Sequence, residues 1–585
     1  MGSEEDADWF DAVLDAVEAL NLFRTPRRIV EGPDVDASGL EGEVLVGGRW
    51  VTVRLSIGNA FPLELPCFYL RPWDALGFIP HVDATGLICF KDPEGLVLDR
   101  RRPVDIVRET FVQALGVLEV GVSGRNRNDF ADEFGAYWKQ LSKVSEGVEV
   151  FSVFDPVDDV RQLVIATCKG KEPVVAADQN NLSAFYNGRS VASKYTLQNA
   201  VYLPLDPNTV LIPPRPDGPM WSAEEARHAL LSAVSEVNMA RLRRLVKGRR
   251  AKREYVIVRL PRSSEGDTLF GIRYDEVGDA HPLLDCGTAA RLVPLQVERL
   301  DRKYLVRRGG GDVDLDAARV LLVGCGSLGG HIAFDLARTG IQNLTLVDRD
   351  RLKPENTYRH ILGRRYWGTP KALALASEIE QEVPYVQVNG MESSIEKALG
   401  DGSVDLAAYD LVVCALGNPT VELAMNKRLY ALQGGPMILF TWLEPLGIGG
   451  HALLVADRND NGCFECLYTS VVDVETLDNR ASFAESGQTF GQALSGCGSM
   501  HTPYGSVDAV QTAVQAVRLA VDALIGREIG NPLVSWKGDA SAFKEAGYHL
   551  SGRYTTTTTD ALHDQRYAYW NPKCRVCNAD QGGGE

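Results

Sequence analysis

The segment ARVLLVGCGSLGGHIAFDLARTGIQNLTLVDRD, residues 318–350, constrains the fold more than any other part of the chain. An apolar run leads into Gly324, Gly326 and Gly329, a helical pattern follows, and a second apolar run ends at Asp348. Strand, glycine turn, helix and strand in that order are one βαβ unit of a doubly wound parallel sheet. The glycines let backbone amides approach a phosphate while the helix N-terminus supplies partial positive charge. Asp348 stands 19 residues after the last glycine, where an acid can accept hydrogen bonds from a ribose. The later runs LVVCALG and PMILFTW supply further strands.

The default ligand for such a loop is NAD, but the residues downstream argue for a triphosphate. DRDRLKPENTYRHILGRRYWGTPKALA sets Asp348, Asp350, Asn356, Arg359 and, twelve residues on, Lys371 behind the loop. A dinucleotide site needs one ribose-binding acid and little positive charge. A site that handles transferring phosphates needs cations and polar donors. Two CxxC units, Cys463/Cys466 and Cys574/Cys577, stand about 110 residues apart. Four thiolates suit tetrahedral Zn²⁺, and having two pairs favours structural zinc over a redox motif, with the site clamping the C-terminal tail.

These motifs, over residues 296–585, resemble the adenylation domain of the ThiF/MoeB and ubiquitin-activating superfamily. The resemblance implies ATP as cofactor, ribose binding by Asp348 and phosphate contacts from Asn356, Arg359 and Lys371. It also implies a homodimer in which Arg299 or Arg302 reaches ATP across the interface. The family's Mg²⁺-binding aspartate falls at Gly417, so either Asp350 substitutes for it or magnesium is held mainly through ATP. In ubiquitin-activating relatives a cysteine in the crossover region accepts the acyl group. Cys497, in the glycine- and serine-flanked SGCGS, matches it. The helix after Cys497 shows Val507, Val510, Val514, Val517, Val521 and Leu524 at steps of three and four, which predicts a core-facing stripe.

A chain of 585 residues is too long for one core and predicts about three or four domains. A net charge of −17 argues against a nucleic-acid partner. The basic run RLRRLVKGRRAKRE reads as a solvated helix end leading into a linker. The start MGSEEDADWF does not read as a secretory signal, and no apolar run is long enough to span a membrane. Eleven cysteines, an odd number at low density, fit a reducing, cytoplasmic compartment. Cys67, Cys168, Cys286, Cys325 and Cys414 read as packing, and TTTTTD near the end reads as a mobile surface loop.

At the other end, residues 4–23 show helical spacing, EVLVGGRWVTVRLSIG predicts a hairpin turning at Gly47-Gly48, and NDFADEFGAYWKQL predicts a helix. Between them HVDATGLICF ends in Cys89. Residues 1–148 resemble the ubiquitin-conjugating fold, with His81 at the start of its motif and Gly86, Ile88, Cys89 and Phe90 at its end; the spacer is two residues shorter, and the family's asparagine is either Asp83 or absent. The resemblance makes Cys89 a working thiol. Residues 149–295 show a capping box, Ser222 and Glu225, and a strand EYVIVRLP, and read as a connector. The chain is thus expected to be multidomain α/β: an α+β ubiquitin-conjugating-like domain at 1–148, an α+β connector at 149–295, and a Rossmann-like ThiF-type adenylation domain with structural zinc at 296–585.

That order is similar to fused activating–conjugating proteins of bacterial anti-phage CBASS operons. The resemblance implies a ligase: adenylation of a protein C-terminus near Lys371 and Arg359, capture on Cys497, transfer to Cys89 and delivery to a target amine. The protein substrate would be a cGAS-like nucleotidyltransferase. Conjugation of a ubiquitin-like protein and sulfur-carrier activation are the alternatives within the same fold; a dehydrogenase and a nucleotide-binding scaffold are the alternatives outside it.

Overall fold

The computed structural model describes the chain except for residues 1–3, 31–36, 187–194, 208, 216–217, 250, 263–265, 285–290, 461, 471–477, 494–499, 502 and 579–585. Contacts divide it into two compact units, one of residues 1–182 with 191–301 and one of residues 183–190 with 302–585.

The first unit begins with helix α1 (Glu4–Glu18) and a four-stranded antiparallel meander, β1 (Arg24–Val30), β2 (Ala37–Val46), β3 (Arg49–Gly58) and β4 (Cys67–Arg71). Gly47 and Gly48 turn β2 into β3 at φ of 55° and 75°, the left-handed region that a two-residue hairpin demands. Along β3 the valines and leucine at 51, 53 and 55 and Ile57 alternate inward. Helix α2 (Pro103–Val122) covers that face with Val107, Phe111, Ala114 and Leu118. Helix α3 (Asp129–Val144) contributes nothing to this core among the described residues.

It packs instead on the segment expected to be a connector, which is a closed seven-stranded barrel. The strands are β5 (Val148–Ser152), β6 (Arg161–Cys168), β7 (Lys171–Ala176), β8 (Thr196–Pro204), β9 (Arg253–Pro261), β10 (Asp267–Asp275) and β11 (Arg291–Arg299), in spatial order β10–β11–β5–β7–β6–β8–β9. Successive residues serve opposite faces: Ala200 and Tyr202 fill the interior, while Val201 and Leu203 face an outer layer. That layer includes the helices Ala223–Leu231 and Glu236–Val246 together with α3, whose Phe134 and Trp138 pack in tilted contacts against Phe270, with ring centroids 4.5 and 4.8 Å away. Trp138 also donates its indole N–H to Leu295 O at 3.0 Å. The basic run does end a helix with Arg243 and Arg244 exposed, but it leads into β9 of the same barrel and not into a linker. Arg241 pairs with Asp159, and Arg249 sits 2.9 Å from the buried Glu254 at the foot of β9.

The second unit is built on a seven-stranded sheet. Its strands are β12 (Arg319–Val323), β13 (Asn343–Asp348), β14 (Gln387–Glu392), β15 (Leu411–Cys414), β16 (Met437–Leu443) and β17 (Gly449–Val455), ordered β14–β13–β12–β15–β16–β17, with the strand Leu533–Lys537 beyond β17. The first five run parallel and the last two pairings are antiparallel. The chain leaves β12 toward β13 and returns to its other side as β15. That reversal opens a crevice at the strands' C-terminal ends.

Two expectations fail here. The helix Ser506–Leu524 buries Ala509, Ala513, Ala516, Ala520 and Ala523 rather than most of its valines. Val507, Val510 and Val514 are exposed. Small side chains let this helix lie close to the helix Ser327–Arg338 and to the sheet, so close approach rather than side-chain bulk selects the buried face. The threonine run is no loose loop either. It closes the helix Gly552–Thr556, and the hydroxyl of Thr558 accepts the Ala561 N–H to cap Thr559–Asp564.

Candidate functional site

In the second unit the crevice holds a cavity of about 200 Å³ lined by Gly324, Gly326, Asp348, Arg349, Asp350 and Lys371, among others. The glycine loop is shaped by close approach. A Cβ on Gly329 would sit 1.8 Å from Gly324 O, and one on Gly324, whose φ is 96°, would sit 2.6 Å from Ala415 O. Gly326 has nothing within 4 Å of where its Cβ would be, so its backbone faces open space. Asp348 does not project both oxygens into that space: they accept the Cys325 and Asp350 N–H groups at 2.7 Å each. Burial pushes its carboxyl up, and these two amides oppose the rise. Lys371, buried at the N-terminus of the helix Lys371–Glu382, sets its Nζ 3.2 Å from Asp350 Oδ2.

Two expected phosphate contacts do not line this cavity. Asn356 caps its own turn, its Oδ1 accepting the Lys353 N–H at 3.0 Å. Arg359 lines a second cavity of about 520 Å³, its guanidinium 5.1 Å above the Tyr504 ring. This cavity shares Gly326, Ala415 and Leu416 with the first, and its walls include Trp442, Glu444, Phe464 and Tyr468. Glu422 also lines it. Burial pushes its carboxyl up to about 7, although Oε1 accepts the Leu416 and Gly417 N–H groups at 3.2 Å. Gly417, at φ 61°, brings no carboxylate. Asp350 and Glu396 are carboxylates on the first cavity.

Sequence reasoning missed His360. Its Nδ1 accepts the Leu362 N–H at 3.0 Å, so Nε2 carries the proton and donates to Cys325 O at 2.8 Å, bracing the glycine loop. Burial lowers its pKa to about 4, which keeps this neutral tautomer. No local motif marks it; only its place right after Arg359 connects it to the loop. Neither candidate trans-acting arginine points away from its own chain. Arg299 makes a two-pronged ion pair with Asp301 at 2.8 and 2.9 Å, and buried Arg302 donates to Gly340 O at 2.7 Å. Cys497 lies outside the described residues, as does Cys286. Cys325 and Cys414 are fully buried, whereas Cys67 and Cys168 are half-buried.

The two CxxC units converge. Cys463 Sγ lies 3.7 Å from Cys574 Sγ and Cys466 Sγ 3.4 Å from Cys577 Sγ, with all four sulfurs within 4.8 Å of one another. Four thiols at that spacing are the donor set of a closed tetrahedral metal site. Asn426, fully buried, donates to Cys463 Sγ at 3.5 Å and supports the cluster from behind.

In the first unit Cys89 is exposed at the end of a pinned loop. Its N–H donates to His81 O at 2.8 Å, and Val82 pairs with Ile88. Asp83 Oδ1 accepts the Thr85 and Leu87 N–H groups and the Thr85 hydroxyl, closing the turn, while Gly86 at φ 82° fits where a Cβ would meet Leu70 O at 2.3 Å. Asp83 therefore builds the loop itself. Burial, with Glu133 and Asp83 nearby, pushes the Cys89 thiol up to about 11. His81 is clamped by α3, its Nδ1 2.5 Å from Glu133 Oε1 and its Nε2 2.8 Å from Asp129 Oδ2. The Glu133 contact leads in raising its pKa, against burial, to about 9, so His81 is an imidazolium.

A nucleotide crevice at a switch point and an exposed thiol on a meander-and-helix domain define a fused activating and conjugating protein. The family comparisons agree: residues 300–529 match the ThiF family and residues 35–146 match the prokaryotic E2 family B. The chain thus carries a ThiF-family domain and a prokaryotic E2 family B domain in one polypeptide. Curated relatives extend over most of its length. It is 24% identical to the ATP-dependent ubiquitin transferase-like protein Cap2 of Pseudomonas aeruginosa, over 77% of this chain and 80% of that one. It is 25% identical to the protein of the same description from Escherichia coli, over 89% and 88%. Among solved structures, E. coli MccB with ATP overlaps 47% of this chain and 69% of its own at 16% identity, with a TM-score of 0.32.

Proposed function

We propose that the chain is an ATP-dependent ubiquitin-transferase-like ligase that activates a protein C-terminus and delivers it to an amine. The observation that carries this reading is the junction between the two cavities of the second unit. A carboxylate laid in the larger cavity would meet, across Gly326, Ala415 and Leu416, the phosphates of a nucleotide in the smaller one. The residues fit a nucleoside triphosphate: an open glycine at 326, a buried lysine at 371 and carboxylates at 348 and 350 around one crevice. Mg²⁺ would enter with the triphosphate, beside Asp350 and Glu396.

The carboxylate oxygen attacks the α-phosphorus and pyrophosphate leaves. Lys371 offsets the charge that develops on the phosphates, and Arg359 orients the incoming carboxylate. The sulfur of Cys497 then attacks the acyl carbon and AMP leaves; the thioester passes to Cys89 and from there to nitrogen. Zn²⁺ held by Cys463, Cys466, Cys574 and Cys577 would tie the C-terminal tail to the unit without taking part in chemistry. The exposed Val507, Val510 and Val514 form a stripe that a second copy of the chain would cover, supporting a homodimer. The Cap2 relatives support a CBASS setting; our reading adds a bacterial cytoplasm and a cGAS-like nucleotidyltransferase as acyl donor. Work would be divided among residues 1–148, 149–295 and 296–585 as conjugation, connection and activation.

The test is to incubate the chain with the candidate nucleotidyltransferase, ATP and Mg²⁺. A thiol-sensitive adduct is expected, and Cys89→Ala should strand it on Cys497. Absence of both adduct and ATP–pyrophosphate exchange would sink the reading. Adduct with a neighbouring ubiquitin-like protein alone would replace only the donor.

A further inference from the structure

Helix α3 has two faces that meet different neighbours within the first unit. Phe134 and Trp138 join the outer layer of the barrel, whereas Asp129, Glu133 and Tyr137 meet the Cys89 loop. Glu133 is held by two atoms of one residue: Oε1 sits 2.5 Å from His81 Nδ1, and Oε2 accepts the His81 backbone N–H at 3.0 Å. Asp129 secures the other ring nitrogen at 2.8 Å. The Val82–Ile88 bridge and the Cys89-to-His81 hydrogen bond put His81 directly across from Cys89. Cross-strand partners are close neighbours, so the residue that clamps His81 is brought near the thiol. Of the charges acting on Cys89, Glu133 weighs most, ahead of Asp83. With His81 as an imidazolium between two carboxylates, the cluster keeps a surplus negative charge.

We propose that Glu133 is the proton acceptor for the amine that takes the acyl group from Cys89, with His81 and Asp129 as its positioning residues; this rests on the reading of Cys89 as an acyl carrier. In that step the amine nitrogen attacks the thioester carbonyl carbon, a C–N bond forms and the C–S bond breaks. The proton shed by nitrogen goes to the Glu133 carboxylate and on to the departing sulfur, which ends as the thiol. A sulfur beside Glu133 and Asp83 is a poor leaving group as a thiolate, so a delivered proton helps the bond to break. The surplus charge also draws in an amine that arrives as an ammonium, such as a lysine side chain, in preference to a hydroxyl; that ammonium gives one proton to solvent before it attacks, and the second is the one Glu133 accepts.

The experiment bypasses ATP. The full chain is loaded at Cys89 from a peptide arylthioester, and discharge to free lysine is followed by mass spectrometry of the Cys89 peptide. Alkylation of the same thiol by iodoacetamide is measured in parallel. For Glu133→Gln, discharge should slow by about a hundredfold, while alkylation quickens several-fold because a negative charge beside the thiol is gone. Glu133→Asp should recover part of the discharge rate. Opposite signs for the two rates are what a proton acceptor requires and a merely structural residue does not produce. Two rates that fall together, two that stay unchanged, or a wild-type thiol that takes no acyl group would each overturn the proposal. If arylthioester loading works while ATP-dependent loading fails, this inference stands and the activation reading falls.

Discussion

The two reactive regions of this chain handle charge in opposite ways. The nucleotide crevice surrounds an open glycine with Lys371 and Arg349 and occupies two of its acids, Asp348 by two amides and Asp350 by Lys371. The Cys89 loop is flanked by carboxylates, Glu133 and Asp83, and the cation across from the thiol, His81, is held by acids on both ring nitrogens. Cations suit a place where anionic phosphates gather charge. Acids suit a place where an ammonium must arrive and give up a proton. One region is thus built to receive an anion and the other a cation, as expected of the first and last steps of a relay.

The largest effect should come from breaking the cationic side. Lys371→Ala should lower ATP–pyrophosphate exchange about a thousandfold, whereas Cys89→Ala should leave exchange within about twofold, since it acts after that step. Exchange that survives Lys371→Ala would mean that the crevice does not gather phosphate charge, and the contrast would fail on its better-defined side. Next in size is the cysteine cluster. Cys574→Ser should release one zinc per chain and destabilise the second unit by roughly 3 kcal/mol, read as metal content and as a lowered Tm. Iodoacetamide labelling of Cys89 should not change. A parallel loss of Cys89 labelling would show the two regions to be one cooperative structure instead of two.

How much of this was legible follows the same division. The crevice is a local construction. Strand, glycines, helix and Asp348 are consecutive, and each glycine has a steric reason that leaves a trace in the sequence, such as the 1.8 Å clash a Cβ on Gly329 would make. The CxxC pairs were readable because thiol spacing is nearly a signature. The clamp on Cys89 was not, because Asp129 and Glu133 lie some 48 and 52 residues from His81 and look like ordinary acids on a helix. The barrel was hidden for a related reason. It closes through pairings such as Leu295 with Val148, and strands buried on both faces lose the alternation that marks a sheet with one wet side. The helix Ser506–Leu524 misled because valines outrank alanines as apolar residues, although a face made mostly of alanines allows the close approach it makes.

The acidic side can be tested through pH. His81 has a folded pKa of about 9, raised above the ordinary histidine value by its two carboxylates. A histidine whose pKa is raised on folding stabilises fully below about pH 6.5. That contribution fades as pH climbs and is gone above about 9. The first unit should therefore lose on the order of 2 kcal/mol between pH 6 and pH 10, after allowance for solvent screening. The loss should be absent in His81→Gln, measured as thermal melting across that range. A melting temperature flat with pH in the native chain would remove the double ion pair, and with it the contrast in charge.

The smallest effect bears on a residue whose sequence-based role and observed place differ. If Asn356 touched phosphate through its amide N–H, replacing that amide with a carboxylate would set negative against negative. Its Oδ1 instead accepts the Lys353 N–H at 3.0 Å, closing the turn that leads to Arg359 and His360. Asn356→Asp keeps an oxygen for that N–H and adds only a charge. The KM for ATP in pyrophosphate exchange should rise less than about threefold, below 1 kcal/mol, with kcat unchanged. Asn356→Leu, which has no acceptor, should do more harm by freeing the turn and loosening His360 from Cys325 O. A rise of about thirtyfold or more for the aspartate would reverse that ranking. It would put the amide on the phosphates once nucleotide is bound and move Asn356 from the frame of the crevice to its anion-binding wall.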